Sequence, residues 1–196
     1  MRALLALLLL FASPAAAETY ARVQTSMGNI DLALDDEAAP VTVENFLAYA
    51  TSGYYDRLIF HRVVPGTLIQ GGGMTPALYP RAASREAIPN EAAQDRKNLR
   101  GTIAMARYDE PDSATSQFFI NLKDNPDLDR TGDEWKKDAG YAVFGRVVAG
   151  MDVADAIGAV ETGPGTPESG LAAEVPTEPV TILRIDPIEK AEVGAE

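Results

Sequence analysis

The chain has 196 residues, 46% of them hydrophobic, with 29 acidic against 17 basic side chains, a formal net charge of −12 and no cysteine. That length suits one ordinary domain, and its core alone must hold it, because disulfide bridges are excluded. The acidic balance repels phosphate backbones and no run of Lys and Arg offsets it, so nucleic acid is not an expected partner.

Met1-Arg2, the apolar run over 3–12 and the small residues Ser13-Pro14-Ala15-Ala16-Ala17 stand in the order of a secretory signal peptide. Cleavage is expected after Ala17, and losing Arg2 with the leader takes the net charge from −12 to −13. The apolar run is too short for a stable anchor, so no membrane contact is expected after cleavage. The expected divisions are a leader at 1–17, one domain at 18–188 and a polar tail at 189–196 that frays. A short leader without an anchor points to the periplasm, with full secretion as the alternative. The mature chain is expected to be a monomer.

Tyr20–Thr25 and Ile30–Leu34 read as a hairpin turned at Gly28-Asn29. Pro40 opens a helix with the apolar stripe Val43, Phe46, Leu47 and Ala50, and Gly53 is its expected C′ residue. Two apolar runs then meet at Pro65-Gly66, and Gly71-Gly72-Gly73 closes the pair with turn geometry. Met74–Arg100 has no period and reads as a long irregular segment, functional or mobile. Strands follow at Thr102–Ala106 and Gln117–Leu122, with Phe118 and Phe119 on opposite faces and a surface loop between them. Asp124–Gly140 is polar and holds Trp135, the single tryptophan. Tyr141–Val148 is a strand, and Met151–Ile157 a short helix with Val153, Ala156 and Ile157 on one side and Gly158 closing it. Glu161–Pro179 reads as a surface loop and Val180–Ile185 as the last strand. Strands dominate without alternating with helices, which disfavours a parallel α/β sheet. Closing eight short strands into a mainly β barrel removes their exposed edges.

The central hairpin carries the chemistry. Alternation puts Phe60, Arg62 and Val64 on one face, His61 and Val63 on the other, with Leu68 and Gln70 sharing a face. One surface then holds a guanidinium, an amide and apolar walls, an unusual mixture because Arg is rarely buried without a partner. Nothing acidic lies near Arg62 in the sequence.

His61 is the only histidine. It points away from the Arg62 face, no Gly-x-Ser-x-Gly elbow accompanies it, and a cysteine nucleophile is impossible. A buried histidine satisfied by backbone hydrogen bonds is favoured over a general base. One His without Cys, and carboxylates outside EF-hand spacing, leave no metal site. The triple glycine lacks the Lys-Ser or Lys-Thr of a phosphate loop, so no cofactor is expected. What survives is chemistry without proton transfer or nucleophile, such as rotation about an X-Pro bond, whose barrier of about 18–20 kcal/mol comes from amide resonance. A donor aimed at the prolyl nitrogen favours the twisted state, and a dry apolar pocket strengthens the interaction. Arg62 suits the donor and Phe119 the pocket floor.

Phe60-His61-Arg62, Pro65-Gly66 and Gln70-Gly71-Gly72 resemble the signature of the cyclophilin family of peptidyl-prolyl isomerases. So do Gly101-Thr102-Ile103-Ala104-Met105-Ala106, Ser116-Gln117-Phe118-Phe119-Ile120 and Val143-Phe144-Gly145-Arg146-Val147 with Gly150-Met151. The likeness runs in order through nearly the whole mature chain. It implies a closed eight-stranded antiparallel barrel capped by two helices, acting on proline-containing unfolded or flexible polypeptides. Arg62 is implied as the catalytic arginine, with Gln70 beside it. Phe119, Leu128 and Leu68 are implied as the lining of the proline pocket, and Ala106, Arg107 and Gln117 as contacts to the flanking residues. Four positions depart from the pattern usual in eukaryotic members. Thr67 stands where a pocket phenylalanine is expected, Asp127 replaces an aromatic residue, Tyr141 a pocket histidine, and Arg107 an asparagine. Weak binding of cyclosporin-like cyclic peptides is the expected result. A proline-peptide binding module with little catalysis is the alternative function.

Overall fold

The computed structural model describes residues 18–134, 136–166, 170–171 and 173–195; the leader 1–17 and Trp135 lie outside the described residues. Among the described residues ten strands are present: β1 (Thr19–Thr25), β2 (Gly28–Leu34), β3 (Leu58–Val64), β4 (Leu68–Met74), β5 (Thr102–Met105), β6 (Phe118–Asn121), β7 (Val143–Ala149), β8 (Thr162–Gly163), β9 (Val175–Pro176) and β10 (Val180–Ile188). Helix α1 spans Pro40–Thr51 and α2 spans Met151–Gly158. Eight strands close an antiparallel barrel in the order β1-β10-β3-β4-β6-β5-β7-β2, as expected, while β8 and β9 pair outside it. That small sheet and the 3-10 turns at Pro111–Ser113, Pro126–Leu128 and Lys190–Glu192 are additions to the expected elements. Each is too short to carry a periodic signal.

The first hairpin turns at Ser26-Met27 rather than at Gly28-Asn29, since Thr25 pairs with Gly28. The Thr25 hydroxyl donates to the Gly28 carbonyl at 2.7 Å and accepts from the Met27 N–H at 3.0 Å, which stabilises the tighter turn. The triple glycine is likewise strand, not turn. Ile59 pairs with Met74 and Phe60 with Gly71, so Gly72 and Gly73 are extra residues in a bulge of β4. Gly72 has φ +82°, and a Cβ on Gly73 would fall 2.5 Å from the Gln117 side chain. Glycine is needed there because a neighbouring side chain lies against the backbone.

Inside the barrel, Phe46 of α1 lies 5.6 Å from Phe118, edge to face, and 5.2 Å from Phe144 between ring centroids. Val43, Tyr49 and Ala50 are buried beside it, so the expected stripe faces the core. Helix α1 ends in a Schellman pair, with Tyr54 N–H on Tyr49 O at 3.1 Å and Gly53 N–H on Ala50 O at 3.0 Å. In α2 the buried residues are Ala154, Ile157 and Gly158, with Val153 packed against them; Ala156, expected on that face, is exposed. Gly158 is the last helical residue rather than a stop signal. A Cβ there would meet Leu122 Cδ1 at 2.2 Å, so close packing explains it.

Two segments expected to be loose are tied down. The stretch after β4 sends Glu91 to the start of α1, where its carboxylate accepts the N–H groups of Val41 (3.2 Å) and Thr42 (2.7 Å). An anion at a helix N-terminus satisfies orphan donors and complements the dipole. At the other end, Asp31 receives Arg22 through two bonds of 2.7 and 2.8 Å and the Gly194 N–H at 2.7 Å. Arg22 also donates to the Glu192 carbonyl at 2.7 Å, so the polar tail is pinned at two points. Burial pushes the Asp31 carboxyl up, but the bonds from Arg22 and Gly194 and the charge of Arg22 pull it below the ordinary carboxylate value.

Candidate active site

The expected parity of β3 fails, and the failure builds the site. Phe60 pairs with Gly71 and Arg62 with Gln70, which leaves His61 as an extra residue in a bulge. Phe60 therefore faces the barrel interior with Val63, while Arg62 and Val64 share the outer face. Across β3, β4, β6 and β5 the pairing then aligns Arg62, Gln70, Phe119 and Ala104 in one row. The next pair on that face is Val64 with Leu68.

A second apolar cluster, separate from the main core, covers this outer face. Leu68, Ala104 and Phe119 are buried in it, with Val64, Ala106, Leu128, Tyr141 and Val143 packed around them. Phe119 is only 3% exposed although it points away from the barrel interior. The Tyr141 ring meets Phe119 edge-on at 5.5 Å, and the Arg107 guanidinium lies 4.7 Å over Tyr141. Arg107 Nε also donates to the Gly140 carbonyl at 3.0 Å, so this arginine is a fixed wall. Sharing Ala106 with the apolar cluster is a cleft of about 230 Å³ lined also by Gln70, Arg107, Tyr108, Ser113, Thr115 and Gln117. Gln70 Nε2 donates to Gln117 Oε1 at 3.0 Å, which holds both amides along the cleft.

Three buried asparagines brace the pocket from behind, and nothing in the sequence pattern marks them. Asn125 Nδ2 donates to Asn121 Oδ1 at 2.7 Å and to the Thr67 carbonyl at 3.0 Å. Asn121 Nδ2 donates to Asn98 Oδ1 at 3.2 Å, and Asn98 Nδ2 to the Leu128 carbonyl at 3.0 Å. Thr67 and Leu128 are thus linked through one polar chain. Thr67 is half-buried, while Asp127 is exposed next to Leu128.

Arg62 has a partner the local sequence does not show. Its Nε donates to Glu174 Oε2 at 2.8 Å, with the two side chains 36% and 37% exposed. His61 is 1% exposed and Nδ1 has no hydrogen-bond partner among the described residues, so the expected full satisfaction does not hold. Burial lowers its pKa to about 4, against the opposing pull of the Ile59 carbonyl and Gln117 and with help from the Arg62 charge. The ring is neutral at physiological pH. The arrangement can hold a small apolar ring over Phe119 while a guanidinium and an amide face the adjoining backbone.

Residues 20–186 match the family described as cyclophilin type peptidyl-prolyl cis-trans isomerase/CLD. Peptidyl-prolyl cis-trans isomerase A of Dickeya dadantii (strain 3937) is 48% identical over 176 residues, covering 90% of this chain and 88% of the relative. Peptidyl-prolyl cis-trans isomerase B of Escherichia coli (strain K12) is 49% identical over 158 residues, covering 81% of this chain and 93% of the relative. The crystal structure of a cyclophilin type isomerase of Cryptosporidium parvum matches with a TM-score of 0.68 at 25% identity, covering 88% of this chain and 99% of the other. The chain belongs to the cyclophilin-type peptidyl-prolyl cis-trans isomerase family.

Proposed function

We propose that Arg62, Gln70 and Phe119 form the centre at which this isomerase rotates X-Pro bonds of unfolded or partly folded exported polypeptides. The observation that carries the reading is the row Arg62–Gln70–Phe119–Ala104 on the outer face of the barrel. The prolyl ring sits on Phe119 among Leu68, Ala106, Leu128 and Tyr141, away from water. Gln70 holds the neighbouring carbonyl, and the Arg62 guanidinium donates to the prolyl nitrogen as its lone pair localises in the twisted state. Both donors are in place before the bond turns, so they act mainly on the transition state. Gln117 and Arg107 bound the space for the flanking residues, and Thr67 stands at the pocket edge. His61, neutral and buried, moves no proton.

The protein acts in the periplasm, a reading supported by the leader pattern of residues 1–17. N-terminal sequencing of the exported protein is expected to begin at Glu18. Retention of Met1 in the exported fraction would refute cleavage after Ala17, and absence of the protein from the periplasmic fraction would refute export. Arg62→Ala is expected to lower activity in a protease-coupled proline-peptide assay by about a hundred- to thousandfold, a loss of about 3–4 kcal/mol. Its melting temperature should stay near that of the parent protein, because the side chain is part exposed. Unchanged activity in a folded Arg62→Ala protein would refute the assignment.

A further inference from the structure

Glu174 lies 112 positions after Arg62 in the chain. Its backbone adopts φ +68°, a conformation uncommon for a residue with a long side chain. It is held there from two sides. The Glu174 carbonyl accepts the Val63 N–H at 2.7 Å, which ties it to the site strand. The next two residues, Val175 and Pro176, are the strand β9 that pairs with β8. So placed, its carboxylate meets Arg62 Nε at 2.8 Å.

The geometry points to Glu174 as the positioning residue that aims the Arg62 guanidinium; this inference rests on the role given to Arg62 above. A free arginine side chain disperses over many rotamers, and its planar fork is useful only when its plane is fixed. Engaging Nε fixes that plane while leaving both terminal nitrogens free of described protein acceptors. Those are the donors that face the substrate backbone. The constraint acts without touching substrate, so it governs turnover rather than binding.

The test uses the full mature protein with Glu174→Asn, Glu174→Gln and Arg62→Ala. Asn tolerates positive φ and is too short to reach Nε. Gln keeps an acceptor oxygen of the same reach. Proline-peptide turnover and KM are measured for each, together with the protection of the Arg62 Nε–H signal in NMR spectra. Glu174→Asn is expected to lower kcat by about tenfold, equivalent to about 1.4 kcal/mol, with KM unchanged and the Nε–H signal exposed. Glu174→Gln is expected to lose less than about threefold and to keep the signal protected. Three results overturn the inference while leaving Arg62 in its role: parental or raised kcat in Glu174→Asn, equal losses in both Glu174 variants, or a loss confined to KM. An active Arg62→Ala protein overturns the reading on which it rests.

Discussion

Replacing His61 by Gln separates two states of the same ring. In the folded protein the imidazole has its pKa lowered to about 4 by burial, whereas in the unfolded chain it titrates near the ordinary value of about 6.5. Between those values the unfolded chain binds a proton that the folded protein does not. Stability therefore falls as pH drops through about 6.5 and the loss saturates below about 4, the reverse of a histidine that gains an anionic partner. Over that window of about 2.5 units the loss approaches about 3 kcal/mol at 1.36 kcal/mol per unit. His61→Gln removes the titration and keeps an amide of similar reach. Urea denaturation of both proteins at pH 7, 6, 5 and 4 gives the difference in stability, in which contributions from shared carboxylates cancel. The expected result is that the parent loses about 3 kcal/mol relative to the variant between pH 7 and pH 4. Activity per folded molecule should be flat from pH 6 to 8 in both. Parallel stability profiles, or a bell-shaped rate profile in the parent alone, would refute the neutral, structural assignment.

Asn98→Ala is expected to cost about 1–3 kcal/mol in urea denaturation, because Asn121 and the Leu128 carbonyl each lose a buried partner. Pocket affinity should fall with it, and a variant of parental stability would contradict the bracing role. Asp31→Asn is expected to cost about 3 kcal/mol near neutral pH, since Arg22 is left without its counter-charge. Asp31 is held below the ordinary carboxylate value, so its contribution is present above about pH 4 and lost as pH falls through the folded value. Acid unfolding of the variant should be correspondingly shallower. Thr67→Phe with Asp127→Trp is expected to tighten cyclosporin-like ligands in calorimetry, each aromatic adding up to about 1.5–3 kcal/mol of burial. A folded double variant that binds no more tightly would show that these positions do not limit the pocket.

The eight barrel strands and both helices are legible because their signals are local. Ile30, Leu32 and Leu34 alternate, and Val43, Phe46 and Ala50 recur at helical spacing. Gathering the site depended on the family likeness, since Arg62, Phe119 and Tyr141 come from three separate regions. What escaped was set by bulges and distant partners. An unpaired His61 reverses the parity of β3, and a period-two reading carries no mark of an inserted residue. Gly71-Gly72-Gly73 reads as a turn until the Gln117 side chain is seen against Gly73. Glu174 and the asparagine chain act across gaps that no window spans. Glu91, in a segment without period, shows its purpose only at the start of α1.

The closure of the barrel between β1 and β10 sets an order on its own assembly. Tyr20 pairs with Ile188 and Val23 with Ile185, so the earliest strand and the last share one seam. A ribosome delivers the amino end first, and β1 then has β2 as its sole available neighbour. The opposite edge of β1 waits, unpaired, until nearly the whole domain has been synthesised. Such distant partners make closure slow relative to local hairpins. During that interval the nascent chain exposes a bare edge of the kind that invites pairing with other chains. An isomerase of this design is therefore, early in its own life, open to misassembly along that edge.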